Sequence, residues 1–182
     1  MDSLRGKLLL ASPTMADPNF ARAVVLIAEH TEEGAMGLVL NRPAATTVGE
    51  AVPDLVWLAE HDEQVYFGGP VAETGVIVLA EFDRPDLAGA LVEGDLGFIG
   101  TGADDPEQLD GAIRRARVFA GHAGWGPGQL ESELAEDAWI VERPRREEIF
   151  TPSPDELWGA VLRRKGRRFA LLSTMPPDPS LN

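Results

Sequence analysis

The sequence contains no cysteine, which excludes disulfides, thiolate nucleophiles and cysteine-ligated zinc or iron–sulfur clusters. Histidine is scarce: His30, His61 and His122 are the only three, and none stands at HxH, HxxxH or HExxH spacing, so no local metal signature exists. No GK[ST] phosphate loop and no GxSxG nucleophile elbow occurs. "GFIGTG" at Gly97 to Gly102 has the wrong glycine spacing for a dinucleotide loop and reads as an ordinary connection. Long apolar runs are missing as well. "LLLA" at Leu8–Ala11 is too short for a secretion signal, and no segment reaches the roughly eighteen apolar residues that a membrane span needs. The expected setting is the cytoplasm, with no membrane partner and no cofactor. Basic residues are few: 16 Lys and Arg stand against 30 Asp and Glu, a formal net charge of -14. That balance repels phosphate backbones, which disfavours direct nucleic-acid binding.

What is present is an ordinary globular composition, 44% hydrophobic over 182 residues, enough for a sizeable core. One domain over residues 1–182 is expected, with 176–182 a frayed tail. Apolar runs bounded by turn residues predict strands near Lys7–Ser12, Arg22–His30, Ala35–Asn41, Gln64–Phe67, Val76–Glu81, Leu96–Gly100, Ala116–Gly121, Trp139–Arg143 and Phe169–Thr174. "TEEG", ending in Gly34, suits an antiparallel hairpin between the second and third. Helices are predicted from their caps. "SPDE" at Ser153 to Glu156 proposes a capping box and a helix from Pro154 to Lys165, stopped by Gly166. "TVGE" at Thr47 to Glu50 starts a short helix interrupted by Pro53, and "PGQLESELAED" supplies another. Asp105 and Pro106 open a fourth, with Leu109, Ala112, Ile113 and Ala116 as its apolar stripe. Strands grouped with irregular helices indicate an α+β fold.

Three segments end strands with special backbone: "NRP" at Asn41 to Pro43, "GGP" at Gly68 to Pro70, and "GHAGW" at Gly121 to Trp125. Two readings stand side by side. They are either sharp sheet bends and nothing more, or a shallow pocket whose ligand contacts are Asn41, Arg42, Gly68, Gly69, Pro70, His122, Trp125 and Gln129. The other candidates have plain readings: His30 beside Glu29, Glu32 and Glu33 as a surface ion pair, His61 as a solvated side chain, and Glu131 and Glu133 as part of a solvated acidic helix. The basic run Arg163 to Arg168 is explained by the dipole of the helix it ends.

The segments "GKLLLASPTMADPNFARAVVLIAEH", "GAMGLVLNRP", "VYFGGPV" and "FAGHAGWGPGQLESEL", with "AWIV" after it, resemble the YqgE/AlgH family of bacteria over Gly6 to about Val141. The resemblance implies a bent or bifurcated, mostly antiparallel sheet, part of it barrel-like, flanked by about four helices. It implies little about activity. Members are largely uncharacterised and are often labelled transcriptional regulators, a label that the net charge of -14 and the absence of a helix-turn-helix pattern do not support as direct DNA contact.

The expected function is a non-enzymatic module that binds a protein or small-molecule partner through the three strand ends. One alternative is a hydrolase or transferase with His122 as base and Arg42 as anion binder. Another is a regulator touching DNA through Arg163 to Arg168.

Overall fold

The computed structural model describes residues 2–58, 63–100, 109 and 111–176. Ten strands among them form one connected, mostly antiparallel sheet that does not close into a barrel. They are β1 (Leu8–Ala11), β2 (Val24–Thr31), β3 (Gly34–Val39), β4 (Pro43–Thr47), β5 (Gln64–Phe67), β6 (Val71–Phe82), β7 (Ala90–Glu93), β8 (Leu96–Phe98), β9 (Ile113–Trp125) and β10 (Trp139–Glu142). The main path runs β10-β1-β2-β3-β9-β6-β8-β7, with β4 and β5 branching from it. The branch point is the long β9. It pairs antiparallel with β6 along one edge, while its other edge pairs first with β5, the one parallel contact, and then with β3. The sheet is bifurcated there, as the family resemblance implies.

Five helices flank the sheet among the described residues: α1 (Val48–Ala51), α2 (Gln129–Ala135), α3 (Arg146–Ile149), α4 (Pro154–Lys165) and α5 (Arg167–Leu172). Strands β1 to β3 are covered on both faces, which explains why they read as continuous apolar runs instead of alternating ones. Leu8, Leu10, Val24, Leu26, Leu38 and Leu40 meet Leu157, Trp158, Val161 and Leu162 of α4. Their neighbours Leu9, Val25, Ile27 and Val39 point the other way, into a second core with Trp125, Leu130 of α2 and Trp139. The "TEEG" turn joins β2 to β3 as expected, with Gly34 at φ 134.

Three local expectations are corrected. Phe169–Thr174 does not form a strand; after Gly166 the chain enters α5, which lays Phe169 and Leu172 on the α4 core and leaves Leu171 exposed. That spacing is helical, and Ala and Leu favour it. Ile113 to Ala116 begin β9 instead of ending a helix. There Arg115 faces Glu81 across the ladder and donates to it from Nε at 2.8 Å, so cross-strand pairing overrides an accidental helical period. The proposed helix start at Asp105 and Pro106 lies outside the described residues, as do His61 and most of the tail. Finally, the Ser153 side chain makes no cap bond; its carbonyl accepts from the Glu156 amide at 3.2 Å instead. Strands β4 and β7 and helix α3 had no sequence signal strong enough to predict them.

Candidate functional site

The fold brings the three strand ends together, and what meets is main chain. The Phe67 amide donates to the Arg42 carbonyl, the Gly68 amide to Ala120 and the Val39 amide to Gly68, each at 2.8 Å. A Cβ on Gly68 would lie 2.3 Å from the Gly121 carbonyl oxygen, and one on Gly69 would lie 2.2 Å from the Ala123 nitrogen. Gly121 itself has φ 70. These glycines therefore allow backbone to press on backbone where β9 bends. Pro70 follows on the exposed side, leading into β6.

The side chains of the same segments diverge. Trp125 is buried in the second core, where its indole N–H donates to the Glu133 carboxylate at 2.9 Å. Gln129 accepts from the Gly126 amide at 3.0 Å and donates to Glu133 at 2.9 Å. The His122 ring donates from Nδ1 to the Ala123 carbonyl at 3.0 Å. Asn41 and Arg42 turn the other way, towards α4.

There they border a polar cleft of about 570 Å³ between the start of β2, the end of β3 and α4, within the roughly 300–1,000 Å³ of ligand pockets. Asn41 fixes its floor. The Oδ1 atom accepts from the Val24 amide at 3.0 Å and Nδ2 donates to the Arg22 carbonyl at 2.9 Å. This holds Arg22 in the left-handed region at φ 57, costly for an arginine, with its guanidinium 4.7 Å above the Trp158 ring. Arg42 donates to the Pro18 and Ala21 carbonyls at 2.9 and 3.0 Å, tying down the loop before β2. Burial pulls its guanidinium below the usual value, and Asp17 partly restores it. Across the cleft α4 contributes Asp155, Glu156 and Arg163.

Sequence reasoning misses Arg22 and Asp155 and takes Glu156 and Arg163 only as a helix cap and part of the basic run, because no pattern marks a left-handed arginine or shows which helix will face a strand end. Two carboxylates on α2 also have partners that sequence did not reveal. Glu133 accepts from both Trp125 and Trp139, the latter at 2.7 Å. The His30 side chain is only 6% exposed: its Nδ1 accepts from the Leu4 amide at 3.0 Å, which makes Nε2 the protonated nitrogen that donates to Glu131 at 2.8 Å. Two of the five cations of the basic run are engaged as well. Arg164 pairs with Glu148 and Lys165 with Glu142, so these two cations join α4 to α3 and β10.

The AlgH-like family profile matches residues 8–170. A UPF0301 protein of Streptomyces coelicolor is 46% identical over 188 residues, covering 100% of this chain and 97% of its own. One from Mycobacterium tuberculosis is 38% identical over 182 residues, covering 97% and 90%. Among solved structures, a Corynebacterium diphtheriae protein superposes with a TM-score of 0.87 at 30% identity, covering 96% of this chain and 94% of that one. The solution structure of the AlgH protein from Pseudomonas aeruginosa gives 0.71 at 32% identity, covering 97% of each. Sequence motifs, the β9-centred sheet and these likenesses agree, and the chain belongs to the AlgH-like family.

Proposed function

We propose that this protein is a non-enzymatic binding module and that its recognition site is the cleft between the Asn41–Arg42 strand end and α4. One observation carries the reading: three guanidiniums, Arg22, Arg42 and Arg163, share this cleft with Asp155 and Glu156. Charges of both signs around one cavity suit a zwitterionic small molecule or a polar polypeptide segment, since each of its ends finds a counter-charge. Asn41 and Arg42 belong to this reading as the groups that position the floor. Gly68 and Gly69 support it from behind, by the close backbone packing beside Arg42, whereas Pro70, His122, Trp125 and Gln129 stand apart from the cleft and take no part in this reading.

A thermal-shift screen of amino acids, dipeptides and their phosphorylated forms tests the reading. A ligand at a hundred times its Kd stabilises the native state by about 2.7 kcal/mol. Arg163→Ala and Asp155→Ala are the informative variants, because Arg42→Ala also releases the Pro18 and Ala21 carbonyls. Hits whose shift disappears in both variants support the cleft. Hits that persist in both place recognition elsewhere.

A further inference from the structure

Strand β9 carries Arg115 and Arg117 two residues apart, so both side chains leave the same face. The two are not equally satisfied. Arg115 lies over the Phe150 ring at 5.0 Å and is held by Glu81. Arg117 lies over the Tyr66 ring at 4.3 Å, and its Nη2 donates to the Thr151 carbonyl at 3.0 Å. Its side chain is only 9% exposed, and its Nε and Nη1 atoms have no hydrogen-bond partner among the described residues. Glu63 approaches Nε at 3.9 Å, close enough for charge attraction but beyond hydrogen-bond distance. A buried guanidinium with unmet donors is an unusual expense for a fold, and an oxyanion is the acceptor whose geometry matches it.

A cavity of about 590 Å³ opens at this point, lined by Arg114, Arg115, Arg117, Glu63, Phe150 and Trp57 among others. Among the described residues its lining carries three arginines and one glutamate; Arg114 is paired with Glu81, Asp83 and Asp95 and Arg115 with Glu81, which leaves Arg117 as the cation with unmet donors. Trp57 is 41% exposed, a large aromatic face that no core cluster of the described residues absorbs. We propose that this cavity binds an oxyanion, phosphate or carboxylate, carried on a flat apolar ring. Arg117 supplies the unmet donors by turning its guanidinium, whose Nε and Nη1 are closed off from solvent at rest, into the cavity, and Trp57 covers the ring. The site is separate from the α4 cleft and does not depend on it.

Phenyl phosphate, benzoate and inorganic phosphate, titrated into the full-length protein at low ionic strength, test this directly. The readouts are tryptophan fluorescence and the arginine Nε–H resonances. Saturable binding of phenyl phosphate or benzoate, tighter than inorganic phosphate, is expected, and the stronger of the two ring ligands identifies the oxyanion. Affinity should fall at least tenfold in Arg117→Gln and severalfold in Trp57→Leu, while Arg163→Ala leaves it unchanged. If Arg117→Gln fails to fold, the exposed Trp57→Leu decides alone. No saturable binding of any probe overturns the proposal, as does equal affinity in the folded variants or loss of binding in Arg163→Ala.

Discussion

Glu133 shows how much one side chain on a helix can organise. Its carboxylate accepts from the Trp125 and Trp139 indoles and from Gln129, so it joins α2 to the ends of β9 and β10. The two indoles pack edge to face at 5.9 Å, with Phe20 against both. Removing the acceptor leaves two largely buried N–H groups unpaired, at a cost of about 1–3 kcal/mol. Glu133→Ala should therefore lower urea-denaturation stability by roughly that amount, and Glu133→Gln by less, because one amide oxygen remains to accept. A loss in Glu133→Ala within the ~0.5 kcal/mol typical of surface changes would remove Glu133 from this role. Spacing alone indicates that Glu131 and Glu133 cannot share a substrate, and in the fold they serve different partners. Who those partners are was not legible, since His30 and Trp139 reach α2 only through the sheet.

At the scale of elements, the same four-residue signature occurs twice with different outcomes. "TVGE" and "SPDE" both offer an N-cap hydroxyl followed three residues later by glutamate. In α1 the box forms: Thr47 Oγ1 accepts from the Glu50 amide at 3.3 Å, and Glu50 accepts from the Thr47 amide at 3.0 Å. In α4 it does not, because Ser153 sits at ψ 68 where Thr47 sits at ψ 161, within the extended range that aims a cap hydroxyl at the helix. The helix stands without it, on the burial of Leu157, Trp158, Val161 and Leu162 and on basic residues in its last turn. Thr47→Ala is accordingly expected to cost about 1 kcal/mol, and Ser153→Ala less than about 0.5 kcal/mol, by chemical denaturation. Equal losses would mean that the Ser153 hydroxyl caps α4 after all. Helix α4 was legible to the residue because its punctuation is local. Strand β9 was only half legible, since its first residues take their conformation from β6, about 35 positions earlier in the chain.

For the whole molecule, the α+β class and most strands follow from apolar runs and turn residues, whereas the bifurcation at β9 follows from pairings between distant segments. The same is true of the charge. A count of -14 does not say which carboxylates are held by partners, and the fold does. Glu131 is held below the usual carboxylate range by its own backbone amide and by His30. At Glu142 burial pushes upward, but the Arg143 amide, Lys165 and Arg164 together win and hold it low. Glu50 is lowered by the Thr47 amide and hydroxyl. A carboxylate depressed in the folded state contributes stability that is fully present above its unfolded pKa, about 4.3 for glutamate, and lost as pH falls through the folded value. Self-repulsion of the excess acids has the opposite sign, since protonation relieves it. The two can be separated, because the held carboxylates must give up specific bonds when they are protonated. Melting temperature should stay nearly flat from pH 7 to about 5 and fall below about pH 4.5, the window set by these three depressed glutamates. The double variant Glu131→Gln, Glu142→Gln should show a shallower acid limb. A melting temperature that rises as pH drops through 4 would mean that relief of repulsion outweighs the lost pairs, and that the acidic surface opposes the fold more than its paired members support it.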